Sequence, residues 1–563
     1  MYGGTFEYSG GAAELPGTLF GKTSAATDVI DLKVSAPLTV NKADIRSGCI
    51  VKRGAGTLTF SPGTREKMIL SASNGCGERI LNASPVDIGD LSADPWPTPS
   101  GGYYGFNVAE GEVVFSGPQN AKVIVTNSVG VGLHASNGVA EPRLVVDGVH
   151  ADLASASTLN LFSHMKGTRD VDCPFPFTPT LEIRNGADVY TKNIRCHYDN
   201  SYFLWPTVTV DNATWTLKEG LNFSGSDTTA AEDGTGRCGT AFVFRNGAKV
   251  YASSVYGEVK GWCALDLDNA TFAKNEKLEG LTFRLDAGGG FVWRIGNGAL
   301  LALDQITLGD GGDFGKNRFT LSFNGGTWKT KPSSKQPLRL KNAWNLVVRT
   351  ESEAGLALPV DSGATLYASR AIQGPGGVVK TGDGTLCFER QAAWTNGIVQ
   401  AEMADPVTLA FGGTLDVREG LVVVSNGCCR AGGAYCAATG AAVDFCGNDL
   451  GSGATFAGGG TFRHMCAAAA KVVVPLGDDL TIEGVPIFDG VSFAGPVVVD
   501  FGRKRPPRLS RGLVVVARFS DGSPDVSSWR ARGLGGSLSA VFRMSGSSMV
   551  ADICHRGFTI RLK

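Results

Sequence analysis

Two short sequence patterns alternate along the middle of this 563-residue chain. The first runs apolar–x–apolar–x–Asn–Gly–Ala–x–apolar, and its copies begin at Leu181, Phe242, Trp293 and, in a looser form, Leu358. The second runs apolar–x–apolar–Asp/Asn–Asn/Gly–Ala/Gly–Thr–aromatic, and its copies begin at Val208, Leu265, Leu321 and, in a degenerate form, Leu144. Successive copies follow one another at intervals of roughly 30 residues, a period that is typical of repeat architectures.

Each copy of these patterns has the features of a strand, a sharp turn and a second strand. Alternating apolar residues turn one face of each strand inward, and the Asn–Gly or Asn–Ala step suits a left-handed turn, where Asn and Gly cost least. One such unit cannot bury its apolar face alone, whereas stacked copies bury a continuous core. The sequence therefore predicts an all-β fold, a right-handed parallel β-helix (solenoid) with a small C-terminal β cap module. The competing interpretation is a sandwich of consecutive antiparallel hairpins.

Composition and charge agree with such a fold and exclude some functions. The 77 glycines, about twice the usual share, fall mainly in turn-forming pairs between short apolar runs. The 52 basic and 53 acidic residues give a net charge of −1, so we expect no nucleic-acid partner, because phosphate binding needs an excess of positive charge. The apolar runs are far shorter than a membrane-spanning segment requires. We therefore predict no membrane-spanning segment.

A different repeat flanks the central array. Residues 50–60 (IVKRGAGTLTF) match residues 378–388 (VVKTGDGTLCF), with shorter echoes at 413–417 and 460–462. At these residues the chain resembles the autotransporter-associated β-strand repeat, also called the passenger-associated transport repeat. The resemblance implies a β-helical passenger of a large bacterial surface or secreted protein. The stretch from Lys471 onward does not show the alternating strands of a translocator barrel, so the resemblance is to the passenger part.

We expect four segments along the chain. Residues 1–95 form an N-terminal β-repeat segment, which we expect to be truncated because its first residues resemble the interior of a repeat and carry no signal peptide. Residues 96–370 form the central β-solenoid. Residues 371–470 form a Cys-rich autotransporter-type repeat, and residues 471–563 form the C-terminal β cap.

Five polar residues on either side of the Asn185 repeat are candidate catalytic residues. They are Asp170, Asp172, Arg195, His197 and Asp199. The two groups lie about one repeat apart, so stacking could bring them together, and paired carboxylates beside a basic residue suit a polysaccharide lyase or glycoside hydrolase. The alternative is that these residues belong to ordinary polar loops between strands, and on that interpretation the chain has no catalytic residues.

Metal and cofactor signals are weak in this sequence. The segment around Asp310 and Asp313 resembles half of a calcium-binding nonapeptide repeat, but a single copy favours a turn. None of the 13 cysteines forms a Cys–x–x–Cys pair, which disfavours a structural zinc site. Local disulfides and buried small thiols remain the two interpretations of the cysteines. We predict no cofactor.

The sequence thus favours a non-enzymatic, structural or adhesin-like β-solenoid of a bacterium, located extracellularly or on the outer cell surface. Polysaccharide or host and cell-surface glycans are the partners that this class suggests. The alternatives are a polysaccharide-degrading β-helix enzyme and a component like a phage tail fibre, which would form a homotrimer.

Overall fold

The computed structural model describes most of the chain. The described residues are 4–22, 29–47, 49–72, 105–126, 128–132, 141–161, 178–196, 206–225, 239–259, 262–285, 290–308, 318–330, 346–353, 355–390, 392–395, 398–402, 407–429, 431–503, 505–509, 511–521 and 524–555. The chain divides into two compact units, Met1–Thr320 and Leu321–Lys563. The four segment boundaries expected from the sequence stay predictions.

Short strands make up nearly all of the regular secondary structure in the described residues. Those that begin in the first unit are β1 (Gly4–Tyr8), β2 (Ala13–Lys22), β3 (Val29–Val34), β4 (Leu38–Ser47), β5 (Cys49–Arg53), β6 (Thr57–Phe60), β7 (Lys67–Ala72), β8 (Phe106–Val108), β9 (Glu112–Ser116), β10 (Lys122–Val125), β11 (Val129–Val131), β12 (Arg143–Asp147), β13 (His150–Leu161), β14 (Thr180–Arg184), β15 (Asp188–Arg195), β16 (Thr207–Asp211), β17 (Thr214–Gly225), β18 (Gly239–Arg245), β19 (Lys249–Val259), β20 (Trp262–Asp268), β21 (Thr271–Ala273), β22 (Leu281–Leu285), β23 (Gly290–Ile295), β24 (Leu300–Leu308) and β25 (Arg318–Phe323).

The second unit has the same character. Its strands are β26 (Gly326–Lys329), β27 (Leu346–Thr350), β28 (Leu356–Pro359), β29 (Thr365–Ala368), β30 (Ile372–Gly374), β31 (Val378–Thr381), β32 (Thr385–Phe388), β33 (Ala392–Thr395), β34 (Ile398–Glu402), β35 (Leu409–Phe411), β36 (Thr414–Val417), β37 (Leu421–Val424), β38 (Ala434–Ala437), β39 (Ala442–Asp449), β40 (Ser452–Ala457), β41 (Thr461–Ala467), β42 (Ala469–Val473), β43 (Ile487–Phe493), β44 (Val497–Asp500), β45 (Gly512–Phe519), β46 (Trp529–Arg532), β47 (Leu538–Ser545) and β48 (Ser548–His555). The one helical element of the described residues is a short 3-10 turn, Val526–Ser528, and no helix among them is long and apolar enough to cross a membrane.

The strands of the first unit stack in parallel, each one on the equivalent strand of the next rung. One ladder runs β9–β12–β14–β16–β18–β20–β23, and a second runs β10–β13–β15–β17–β19–β22–β24. Within each rung a strand of the first ladder leads through a turn into a strand of the second. This topology is a parallel β-helix, as predicted, and the antiparallel sandwich is wrong.

The second unit continues the parallel pattern and ends differently. Its two ladders run β28–β31–β36–β38–β40–β42–β44–β46 and β29–β32–β37–β39–β41–β43–β45. At the end, β48 pairs antiparallel with both β45 and β47. This antiparallel end confirms the predicted C-terminal β cap module.

The repeated Asn residues form the corners that the sequence predicts. Asn185 and Asn246 have φ of 57° and 56°, and Asn212 and Asn269 have φ of 47° and 48°. These values lie in the left-handed region, which Asn tolerates better than most residues. Each corner residue stacks on the next, because the Gly186 amide donates to the Asn212 carbonyl oxygen at 2.6 Å.

Side-chain contacts between rungs explain why the two patterns alternate. At the end of β12, Asp147 accepts hydrogen bonds from Arg184 Nε and Asn185 Nδ2 of the next rung, both at 2.8 Å. The arrangement recurs two rungs later. One pattern therefore supplies the carboxylate, and the next supplies the Arg–Asn pair that holds it.

We expect Asp211→Ala to lower the free energy of unfolding by about 1–2 kcal/mol, because Asp211 accepts from Arg245 Nε at 2.7 Å and Asn246 Nδ2 at 2.8 Å. Burial raises the pKa of Asp211, but the bonds from Asn246 and Arg245 outweigh it and lower the pKa overall. The contribution is therefore complete above the unfolded pKa and is lost as the pH falls through the folded one. Urea unfolding at neutral and acidic pH measures this. Asp266→Ala, which removes a more exposed partner of Arg294, is the control and should cost under about 0.5 kcal/mol.

Aromatic side chains fill the core of the rungs. Trp215, Trp293 and Trp328 are all at most 2% exposed, and Trp215 Nε1 donates to Thr191 Oγ1 at 3.1 Å. These three tryptophans, which lie within the strand repeats, thus belong to the core.

A buried lysine explains the flanking repeat. Lys52 is fully buried, and its Nζ donates to the carbonyl oxygens of Gly54, Gly56 and Glu110, the last at 2.8 Å. The Gly54 amide in turn donates to the Glu110 carboxylate at 2.8 Å. The hydrogen bonds of the ammonium group thus link the turn that follows Lys52 to the turn around Glu110 in the next rung.

The second copy of the flanking repeat has the same interactions. Lys380 is also fully buried, and its Nζ donates to the carbonyl oxygens of Gly382 and Glu419, while the Gly382 amide donates to the Glu419 carboxylate at 2.7 Å. A Cβ added at Gly420, which has a φ of 69°, would lie 2.5 Å from Lys380 Nζ. The two copies therefore share their spacing of Lys and Gly because each forms a turn around a buried lysine.

Candidate functional site

Of the candidate catalytic residues, Arg195 is the one within the described structure. Asp170, Asp172, His197 and Asp199 lie outside the described residues, as do the weak metal candidates Asp310 and Asp313. Whether the Asp and His residues meet Arg195 stays a prediction. Arg195 lines a surface groove that was not predicted from the sequence.

Arg195 ends β15 and belongs to a polar row that crosses the rungs. It pairs in register with Asn160 of β13 and Asn222 of β17, and Asn222 pairs with Tyr256 of β19. The neighbouring Ile194 is buried. Because strand side chains alternate between faces, the row from Arg195 to Tyr256 faces outward.

A β-bulge forms one wall of the groove. Between two shared pairing positions, β17 carries Lys218 and Glu219 where β15 carries Lys192 alone and β19 carries Ser253 alone. An extra residue in one strand bends it and displaces its side chains. Lys218 and Glu219 are both exposed here.

Gly220 lets Ser254 and Tyr256 approach the backbone of β17 at the floor of the groove. A Cβ at this position would lie 2.7 Å from Ser254 Oγ and 3.4 Å from Tyr256 Cε2. The resulting groove has a volume of about 440 Å³, and its lining includes Asn193, Arg195, Asn222 and Tyr256. Tyr256 is 39% exposed.

In the described lining of the groove, the acidic side chain forms an ion pair and the basic side chains do not. Glu219 contacts Lys192 Nζ at 3.3 Å and accepts from Asn193 Nδ2 at 3.2 Å. Among the residues that the structure describes, no carboxylate pairs with Arg195 or with Lys218. The described lining of the groove therefore carries more positive than negative charge, with Arg195 and Lys218 against Glu219, although the whole chain is nearly neutral.

Two amide oxygens in the groove accept no hydrogen bond from the described residues. They are Asn193 Oδ1 and Asn222 Oδ1, both buried. Buried acceptors without a donor are rare in folded proteins. Both oxygens are enclosed by the protein, so a ligand in the groove does not reach them.

A second polar cluster, in the C-terminal unit, resembles a catalytic triad in composition only. Asp444 accepts from the Cys446 amide at 2.9 Å and contacts His464 Nδ1 at 3.0 Å. Burial, with a smaller contribution from Asp444, raises the pKa of the Cys446 thiol, so it stays protonated near neutral pH and is a weak nucleophile. No group of three or more His, Cys, Asp or Glu side chains in the described ranges could hold a metal ion.

The described cysteines are thiols and not disulfides. They are Cys196, Cys263, Cys387, Cys428, Cys429, Cys436, Cys446, Cys466 and Cys554. Burial raises the pKa of Cys263 to about 12 and, as the main cause, the pKa of Cys387 to about 11. For these nine residues the interpretation as free thiols holds.

Comparison with known proteins adds no family to this geometry. The chain matches no family model, and it matches none of the curated proteins. The resemblance to the autotransporter-associated repeat therefore stays a prediction.

Proposed function

We propose that this protein is a non-enzymatic, extracellular or cell-surface β-solenoid that serves as a structural or adhesin-like passenger of a bacterium. The observation that carries the proposal is how the chain uses its charged side chains. In the part of the chain that the structure describes, they join neighbouring rungs instead of converging on one point. That arrangement suits a scaffold better than an acid–base catalyst.

The most extended charge network crosses three rungs of the first unit. Arg143 contacts Glu112 at 3.2 Å and also contacts Glu182, which accepts from Arg184 at 2.9 Å. Arg184 in turn reaches Asp147 at 2.8 Å. Opposite charges thus alternate across β9, β12 and β14.

Glu182 shows why a carboxylate in this network is unsuited to act as a general acid. Burial raises its pKa, but the hydrogen bonds from Arg143 and Arg184 outweigh burial and lower the pKa overall. A general acid needs a proton to donate near the working pH. Glu182 is held ionised and cannot fill that role.

Similar ion pairs join charged residues elsewhere in both units. They include Arg53–Asp31, Lys122–Asp152, Arg245–Asp211, Arg294–Asp266, Arg463–Asp489 and Lys471–Asp500. Surface pairs of this kind contribute little each. They support the proposal because each pairs its carboxylate with a basic side chain.

The thiols are compatible with an oxidising location. Thiol oxidation and exchange proceed through the thiolate. Burial raises the pKa of Cys429 to about 12 and raises that of Cys196 well above its usual value. These two thiols therefore form little thiolate near neutral pH, which slows their oxidation.

Two measurements test the proposal. The purified chain is incubated with uronate-containing and neutral polysaccharides, and both new reducing ends and unsaturated uronate products are assayed. We expect neither product, and release of oligosaccharides would favour the polysaccharide-degrading alternative. In the source bacterium, protease added to intact cells should digest the protein, and full protection from that protease would contradict the surface location.

A further inference from the structure

We propose that the groove lined by Arg195 and Tyr256 binds an acidic oligosaccharide, with Arg195 pairing with a sugar carboxylate. The inference deepens the proposed function and rests on it in one respect, namely that the protein meets polysaccharide outside the cell. The groove as defined above is built from β15, β17 and β19. It lies apart from the ion-pair network of β9, β12 and β14.

The charged side chains that line the groove favour an anionic ligand. Arg195 and Lys218 bring two positive charges to the groove, and the single acidic residue in its lining, Glu219, already contacts Lys192 at 3.3 Å. An Arg guanidinium binds a planar carboxylate through two parallel hydrogen bonds. A uronic acid unit presents such a carboxylate on its ring.

The aromatic ring selects a sugar over a simple anion. Tyr256 and Phe20 are the two aromatic residues among the exposed large hydrophobics of the described structure. Tyr256 is 39% exposed, and the edge of its ring lies close to Gly220, where a Cβ would lie 3.4 Å from Cε2. An amphipathic ring of this kind offers an apolar face for the C–H groups of a pyranose and a hydroxyl for its polar edge.

Hydrogen bonding completes the match. The side chains of Asn193 and Asn222 line the groove, and sugar hydroxyl groups can both donate to and accept from amide groups. The three strands of the groove span roughly 10 Å, because parallel strands lie about 4.8 Å apart. That span accommodates a short oligosaccharide running across the rungs.

The test measures binding of short oligogalacturonates to the full chain by calorimetry, with neutral dextran oligomers and dextran sulfate as comparison ligands. We expect oligogalacturonate to bind, neutral dextran not to bind, and dextran sulfate to bind more weakly. Arg195→Gln and Tyr256→Ala should each weaken oligogalacturonate binding about tenfold or more. Arg195→Lys should fall between Arg195→Gln and the wild type, because it keeps the charge without the bidentate geometry.

Two matched variants control for surface charge and surface aromaticity. Arg294→Gln removes an exposed guanidinium elsewhere, and Phe20→Ala removes the other exposed ring. Both should bind like the wild type, and all variants should keep the wild-type thermal midpoint. Unchanged binding in Arg195→Gln and Tyr256→Ala would overturn the site, and dextran sulfate binding as tightly as oligogalacturonate would overturn the carboxylate assignment.

The two proposals fail separately. Cleavage of a polysaccharide by the wild-type chain would overturn the non-enzymatic function while leaving the binding measurements at Arg195 and Tyr256 intact. Loss of the groove's ligand preference would leave the solenoid scaffold as proposed.

Discussion

Lys52→Met should lower the free energy of unfolding by about 3–5 kcal/mol. The variant leaves the carbonyl oxygens of Gly54, Gly56 and Glu110 without their donor, and each buried acceptor left unsatisfied costs about 1–3 kcal/mol. The relief of no longer burying a cation offsets part of that loss. Urea unfolding followed by circular dichroism measures the difference from the wild type.

Lys33→Met is the matched control for this change. Lys33 lies on neighbouring β3, is 47% exposed on its side chain and contacts Glu7 at 3.2 Å. Removal of an exposed pair of this kind should cost under about 0.5 kcal/mol. Equal effects of the two substitutions would show that the buried ammonium does not hold the turn.

The pH dependence gives a second check on Lys52. Burial lowers the pKa of Lys52 to about 8, below the value of about 10.4 expected in the unfolded chain. Between these values the unfolded chain binds more protons, so the lysine's contribution to stability rises with pH. The gap between wild type and Lys52→Met should therefore widen from about pH 8 toward pH 10, and a gap that narrows would contradict the role assigned to burial.

The repeat in the sequence carried most of the information about the fold. Asn185 and Asn246 could be identified as corners because few residues adopt left-handed backbone conformations at low cost. Alternating apolar residues placed the strands, because the period of two is a property of every strand. Why the two patterns alternate could not be predicted, since the Asp147–Arg184 contact joins rungs that are 37 residues apart.

The turn around Lys52 shows the limit of reading single residues. A lysine is seldom fully buried, so the matching Lys–x–Gly–x–Gly–Thr–Leu copies indicate a repeat without indicating that the lysine lies inside it. Glu110, which completes the turn, is 58 residues away. Only the stacking of rungs brings the two together.

Of the residues that line the candidate groove, only Arg195 was identified as a candidate from the sequence. Arg195 was among the candidates because it lies in a polar segment, but its neighbours in the groove come from other rungs and no motif connects them. Asn222 and Tyr256 become its neighbours through the register of three parallel strands. The bulge in β17 that shapes the groove is a single extra residue. Because the spacing between repeats varies along the chain, one extra residue cannot be recognised in the sequence.

Trp293→Ala should cost about 3–5 kcal/mol, the usual range for removing a large buried aromatic ring. Trp293 is fully buried, and its ring centroid lies 5.0 Å from that of Phe283, 5.2 Å from Phe319 and 6.1 Å from Phe272. These rings come from successive rungs. Trp293→Phe keeps a ring in the stack and should cost less than Trp293→Ala, because it leaves a smaller cavity.

The strands in which Trp293→Ala lowers amide protection distinguish a solenoid from a globular core. Each rung of a solenoid contacts mainly its neighbours, so stability is close to a sum of local terms. Amide hydrogen exchange should therefore show protection lost first in β22, β23 and β24, with β3 and β5 still protected. A uniform loss of protection across Met1–Thr320 would instead mean that the first unit unfolds as one cooperative body. In that case the cost of Trp293→Ala would be set by the whole unit, and the nearest-neighbour description of its rungs would be wrong.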